Sequence, residues 1–254
     1  GDIPSIQKSF FRNLIAVFFA FGILVKNKEG FKYHRKDLKM LLLRSIFGTL
    51  GILCNFYAVD HLLVSDASML NKLSPFFVII CSSLFLKETA TTVQKISIII
   101  AFIGSLFVIK PSLNILNNVN SLIGVLGALG AGIAYTCVRQ LGKQGVSGPK
   151  IVFFFSCFSC LSVVPYLIFN YQPMTLSQTA ILICAGLMAA GGQFAITAAY
   201  NNAAGKDISI FDYSQIVFAA ILGFVFLNQI PDLMSIIGYV IIILAALFSY
   251  LYQR

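Results

Sequence analysis

Residues 179–200 read TAILICAGLMAAGGQFAITAAY, 22 consecutive positions without a charged side chain. As an α-helix rising about 1.5 Å per residue, the stretch would extend about 33 Å, the thickness of the hydrocarbon core of a bilayer. Its neighbours repeat the pattern. Residues 96–109 form the apolar part of the block 92–110, and 210–227 contains Asp212 as its only charge. Nine such blocks of about 17–25 residues follow one another. They fall near 7–25, 40–59, 67–86, 92–109, 121–138, 151–169, 178–200, 208–227 and 233–252. Nine blocks of this length cannot share one water-soluble core, so the sequence predicts an all-α polytopic membrane helical bundle.

Composition points the same way. Of 254 residues, 58% are hydrophobic and 11% charged, where a soluble domain carries about a quarter charged residues. The net charge of +9 does not indicate a nucleic-acid partner, because the basic residues gather in alternate connections, as the positive-inside rule requires. The connection 26–39 holds Lys26, Lys28, Lys32, Arg35, Lys36 and Lys39 against Glu29 and Asp37. Connections of the same parity add Lys87 and Lys95, then Arg139, Lys143 and Lys150, then Lys206, and Arg254 at the end. The intervening connections 60–66, 170–177 and 229–232 have no Lys or Arg, and 110–120 has one. A multi-pass protein of the cell membrane is expected, with 26–39 and the C-terminus in the cytoplasm and the lipid bilayer as an obligatory partner. All six cysteines lie in apolar blocks; Cys157 and Cys160 have CxxC spacing but no companion ligands, so they read as small hydrophobes, with no metal and no cofactor expected.

Displaced by 141 residues, the chain overlays on itself. Phe85-Leu86-Lys87-Glu88 falls on Phe226-Leu227-Asn228-Gln229, Gly51 on Gly192 and Ala58 on Ala199, and the block boundaries keep the offset. The reading is a duplication, with a first repeat in 1–110 and a second in 121–254. The helix at 121–138 has no counterpart before Gly1, so the first repeat is expected to lack its first helix: five plus five helices, nine present here. An odd number of helices per repeat inverts one repeat against the other, the plan of alternating-access transporters. Gly124, Gly127, Gly130 and Gly132 make one helix thin, and Ala185, Gly186, Ala189, Ala190, Gly191 and Gly192 do so in another. Such faces fit both a fixed seam and a sliding surface.

With block lengths, duplication and orientation in place, the chain resembles the drug/metabolite transporter superfamily, specifically its EamA-type ten-helix members. The stretches that carry the resemblance are Lys8-Ser9-Phe10-Phe11-Arg12-Asn13, Leu73-Ser74-Pro75-Phe76-Phe77 with Leu84-Phe85-Leu86-Lys87-Glu88, and Phe211-Asp212-Tyr213-Ser214-Gln215 with the run to Gln229. The family often has an acid where this chain has Asn228 or Gln229. The resemblance implies a secondary carrier with a central cavity between the repeats, moving metabolites, amino acids or amphipathic compounds.

Polar residues inside apolar spans are costly and mark candidate sites. Arg12 is read as a substrate anchor, a structural clamp or a snorkelling charge, with Asn13 beside it and Asp60 at an outer helix end. Asn71, Lys72 and Ser74 precede Pro75, which lacks a backbone donor and would open the preceding turn toward cavity water. Lys72 suits a cavity wall, a snorkelling position or a helix–helix pair. By the same offset Asp212, Tyr213 and Gln215 fall at the positions paired with these three, and Asp212 reads as a group that couples protons or binds an amine, as a structural partner, or as a charge solvated at the interface. Tyr135, Gln193 and Tyr200, with Asn55 and Tyr57 in the first repeat, offer hydrogen bonds or interhelical ties. Arg44, near a cytoplasmic end, reads as a snorkelling residue, and Glu88 as a gate or a surface pair. An enzyme is not expected, since no HExxH, nucleophile elbow, acidic diphosphate motif or nucleotide-binding loop is present. The expectation is a secondary active transporter of small polar or amphipathic metabolites, with protons or exchange supplying energy; a channel or lipid scramblase is the alternative.

Overall fold

Nine helices among the described residues are long and apolar enough to cross a membrane. The structure is a computed structural model and describes residues 3–112, 119–228 and 230–252. Gly1, Gln229 and Arg254, which figure in the sequence reading, lie outside the described residues. The helices are α1 (Ser5–Lys26), α2 (Arg35–His61), α3 (Val64–Asn71), α4 (Ser74–Leu86), α5 (Thr92–Ile109), α6 (Asn120–Lys143), α7 (Gly148–Asn170), α8 (Leu176–Asn202), α9 (Gly205–Ile208), α10 (Ser214–Leu227) and α11 (Leu233–Tyr252), with a 3-10 turn at Ser209–Tyr213. Burial runs opposite to that of a water-soluble protein. Ser97, Ser105, Ser156 and Ser159 are fully buried, while Leu84, Leu161, Met188 and Phe226 are each more than two-thirds exposed. Large apolar side chains on the outside and small or hydroxyl-bearing ones inside are what lipid solvation selects.

The offset of 141 residues reappears in the backbone. α2 and α8 are displaced by that number at both ends, and α3 with α4 spans the same length as the segment from α9 to α10. Lys87 and Asn228, also 141 apart, both end their helices in the left-handed conformation, with φ of 57° and 53°. Thr91 caps α5 by accepting from the Gln94 amide at 3.3 Å, and Asp232 caps α11 by accepting from the Ser235 amide at 3.0 Å. The same local chemistry thus starts and stops paired helices.

By proximity the chain divides into two units that do not follow the two halves of the sequence. Unit 1 takes the described residues up to Phe56 with Ile133–Ala203; unit 2 takes Tyr57–Gly132 with the described residues from Ala204. Each therefore draws on both halves of the sequence. In unit 1, α1 packs on α7 and α8, where Ala16, Ala20, Val152 and Ala190 form a small-residue seam. A Cβ at Gly186 would strike Ile15, whereas Gly191 and Gly192 have nothing within 4 Å. The thin face of α8 is thus a packing seam at one level and open at the next. In unit 2, α5 crosses α11 at Gly104 and Gly238, and a Cβ on Gly238 would lie 2.6 Å from the Gly104 carbonyl. Gly124 meets Leu70 and Gly132 meets Phe77 in the same close fashion.

Candidate functional site

Both interrupted spans belong to unit 2. α3 stops at Asn71 and α4 begins at Ser74 with Pro75 in its first turn, so the kink expected at Pro75 is a break centred on Lys72 and Leu73. At the positions 141 residues on, the α-helix gives way to the 3-10 turn Ser209–Tyr213. Breaks of this kind release backbone carbonyls that need donors. Lys72 Nζ donates to the Asp212 carbonyl at 3.1 Å and to Gln215 Oε1 at 2.7 Å. In return Tyr213 Oη donates to the Lys72 carbonyl at 2.9 Å. Each side chain thus ties down the backbone of the opposite break. Lys72 is 8% exposed and is bonded across the two breaks, which excludes snorkelling. An ammonium has three donors, and two are committed here, which leaves one N–H uncommitted among the described residues. The half-buried Asp212 carboxylate lies within electrostatic reach of that ammonium.

Unit 1 holds a second polar cluster. Asn13 is buried and donates through Nδ2 to the Ser9 carbonyl and to Ser159 Oγ, both at 3.0 Å, which ties α1 to α7. Arg12, one position earlier, donates from Nη2 to Gln193 Oε1 at 3.4 Å, long for a charge-assisted bond. Gln193 is oriented by its own donation to Thr197 Oγ1 at 3.0 Å. Tyr135 and Tyr200 stack with ring centroids 4.7 Å apart and planes 7° from parallel, and Tyr200 is fully buried.

The residue that sequence reading misplaced is Arg44. Instead of snorkelling it is 3% exposed, with Cζ 4.0 Å from the centroid of the Phe155 ring. The side chain folds along α2 over Gly48, where a Cβ would overlap Nη1. Its Nε has no acceptor, and neither Arg44 nor Arg12 meets a carboxylate among the described residues. Burying a lone guanidinium costs several kcal/mol, and a cation–π contact returns about 0.5–2 kcal/mol of that. The signal that could have located it is the spacing Arg44-x-x-x-Gly48, which leaves room for the guanidinium one turn on; its aromatic partner, on α7, is remote in sequence.

The profile of the EamA-like transporter family matches residues 1–110 and 120–251. The chain belongs to that family. The pseudopaline exporter of Pseudomonas aeruginosa is 31% identical over 248 residues, covering 97% of this chain and 86% of the exporter. The riboflavin transporter of Brucella anthropi is 27% identical over 97% of this chain and 88% of its own length. Human solute carrier family 35 member G1 is 23% identical, covering 93% of this chain and 69% of its own length. A crystal structure 13% identical in sequence superposes with a TM-score of 0.82 over 99% of this chain and 90% of its own, a likeness of fold alone. This EamA-like protein is accordingly a multi-span membrane transporter and not an enzyme.

The remaining sequence candidates fall within one unit or the other. Ser74 is buried in the first turn of α4, Asn71 and Asn55 are half-buried, and Gln215 is exposed apart from its bond to Lys72. Tyr57 stacks on His61 at 3.8 Å, and Asp60 is exposed at the end of α2. Cys160 Sγ approaches the Phe10 carbonyl at 3.8 Å, and no group of three metal-ligating side chains forms among the described residues. In this EamA-like transporter the chemistry available is therefore hydrogen bonding, cation and carboxylate recognition, and aromatic contact.

Proposed function

We propose that the chain is a secondary active transporter of the cell membrane that moves small polar or amphipathic metabolites, amino acids or amines among them, by alternating access. Its two repeats, 1–110 and 121–254, are inverted copies, and both contribute to the polar cluster within unit 2. The observation that carries this reading is the pair of helix breaks at equivalent positions, bridged by Lys72 and Tyr213 and flanked by Asp212 and Gln215. Interrupted helices in corresponding positions of two repeats are the device by which such carriers offer backbone and side-chain groups to a solute. Asn71, Lys72, Ser74, Asp212, Tyr213 and Gln215 are the solute-binding candidates within unit 2; Arg12, Asn13, Asn55, Tyr135, Gln193 and Tyr200 are those within unit 1. Proton coupling at Asp212, or exchange, supplies the energy.

The full chain in proteoliposomes tests this. Solutes that raise its melting temperature are selected first, with riboflavin and pseudopaline among the probes because relatives are named for them, and are then used in counterflow. Saturable, trans-stimulated movement is expected. Flux that grows linearly with solute, or lipid exchange at equal rate, would assign a channel or scramblase instead. Asp212→Asn is expected to lower flux several-fold and flatten its response to an imposed pH gradient; unchanged kinetics in the folded variant removes Asp212 from coupling.

A further inference from the structure

We infer that the pocket at one end of unit 1, between the α1–α2 and α6–α7 connections, is a binding site for a single phosphodiester group presented by the headgroup of a membrane phospholipid. The site lies away from both helix breaks, so it stands or falls independently of the carrier reading. The pocket encloses about 200 Å³, and its charged lining is Lys32, Lys36 and Lys150 with Glu29 and Asp37. Three ammonium groups from two connections remote in sequence thus share one concave space, where an anion relieves their mutual repulsion. The walls are held in place. Tyr33 Oη donates to the Lys150 carbonyl at 3.2 Å, and the Tyr33 ring meets Phe154 edge-on with centroids 5.3 Å apart. Ser147 donates its hydroxyl to Glu29, which ties the second connection to the first.

Charge decides the kind of anion. Three lysines against two carboxylates, with His34 counted as neutral, leave one net positive charge on the lining. That balance suits a monoanion, whereas a dianionic phosphate or a polyphosphate would set its extra charge against Glu29 and Asp37. A phosphodiester carries one negative charge and accepts charge-assisted bonds from ammonium groups. The helices add to the attraction, because α2 and α7 both begin at the pocket and line it with residues of their first turns, and a helix start carries about half a positive charge. Location decides the source. α1, α2, α6 and α7 are long and apolar enough to cross a membrane, and the pocket lies where their apolar stretches end, the level at which phospholipid headgroups sit. A phosphate held there bridges Lys32 and Lys36 to Lys150 and braces α2 against α7.

The test uses the full chain in a maltoside detergent, which carries no phosphate, with added phosphatidylglycerol, diacylglycerol of the same acyl chains, soluble glycerophosphoglycerol or inorganic phosphate. Phosphatidylglycerol is expected to raise the melting temperature at concentrations about ten-fold below diacylglycerol, as one charge-assisted contact implies. The combined variant Lys32→Gln, Lys36→Gln, Lys150→Gln should melt like the wild type without lipid and lose that preference. The control variant Lys26→Gln, Lys28→Gln, Lys39→Gln removes the same charge outside the pocket and should keep it. If the pocket variant does not fold, Lys150→Gln alone should weaken phosphatidylglycerol several-fold and leave diacylglycerol unchanged. Equal response to the two lipids, or a preference that survives the folded pocket variant or Lys150→Gln, would overturn the inference. So would a preference lost equally in the control, which would mean diffuse attraction to the basic connections. Glycerophosphoglycerol acting at the same concentrations as the lipid would overturn the membrane source, and inorganic phosphate surpassing both would overturn the phosphodiester.

Discussion

Tyr33, in the connection between α1 and α2, donates its hydroxyl to the Lys150 carbonyl at 3.2 Å. Its partial burial, with the nearby Cys157 thiol adding to the effect, pushes the phenol up to about 12 from the usual 10. Because the folded pKa is the higher one, the stability tied to the neutral phenol is fully present below pH 10 and is lost as pH rises from there through about 12. Tyr33→Phe is expected to melt slightly lower at pH 8, by the loss of one hydrogen bond of about 1 kcal/mol, yet to lose less stability than the wild type between pH 10 and 12. Lysine titration is common to both proteins and cancels in the difference. Parallel melting curves across that window would remove Tyr33 from the alkaline limb. Residue roles were legible in sequence only where the residue's own position decided them. Asn71, Lys72, Asp212 and Tyr213 stood out because a polar group in an apolar span is conspicuous, and the 141-residue offset paired them. The fate of each was set by partners remote in sequence: Asp212 and Gln215 for Lys72, Ser159 for Asn13, Phe155 for Arg44. Hydropathy is blind to such contacts, which is why Arg44 read as snorkelling.

At the scale of elements, the apolar blocks marked all nine crossings, and their ends erred where polar turns of helix extend beyond the apolar stretch. α2 begins at Arg35, five residues before its apolar block, because the charged turn lies outside the hydrocarbon window but still satisfies its own backbone. Pro75 announced a break in the turn preceding it, and the break lies there, since proline fits the first turn of a new helix and disrupts the turn before. The glycine faces were ambiguous between a seam and a sliding surface, and contact geometry separates them position by position. Gly238→Ala is expected to destabilise by about 1–3 kcal/mol, because its methyl would press on the Gly104 carbonyl and Val108 at the α5–α11 crossing. Gly191→Ala, with open space at that point of α8, is expected to be neutral or to stabilise by up to about 1 kcal/mol. Unfolding midpoints in one detergent provide the comparison. Equal effects at the two sites would mean that the crossing yields, and that Gly238 does not fix the distance between α5 and α11.

For the whole molecule, sequence order and spatial order part company. The two halves related by the 141-residue offset are contiguous in the chain, yet each compact unit draws on both, because α1 finds its complementary faces on α7 and α8, and α5 finds its own on α11. Helix-face complementarity between distant segments decides this, and no local pattern encodes it. The distribution of connections is better written in the sequence. In unit 1, the basic connections around 29–37 and 144–150 line one pocket of about 200 Å³. In unit 2, Lys206 Nζ donates to the Thr89 carbonyl and Gln94 to Asp207, so the basic connections after α4 and α8 also meet. The connections of opposite parity meet as well: Asp66 accepts from the Ser112 amide and hydroxyl, and Lys110 pairs with Asp232. Connections of one parity thus gather at one end of each unit, as crossings that alternate in direction demand. By the positive-inside rule the excess of Lys and Arg in the first set supports our proposal that this set faces the cytoplasm. Lys32→Cys and Lys206→Cys, in a background without the native cysteines, should resist a membrane-impermeant maleimide in intact cells and react after permeabilisation. Asp60→Cys and Gln172→Cys should react in intact cells. The reverse pattern would invert the topology, and with it the direction in which every functional group proposed above faces the solute.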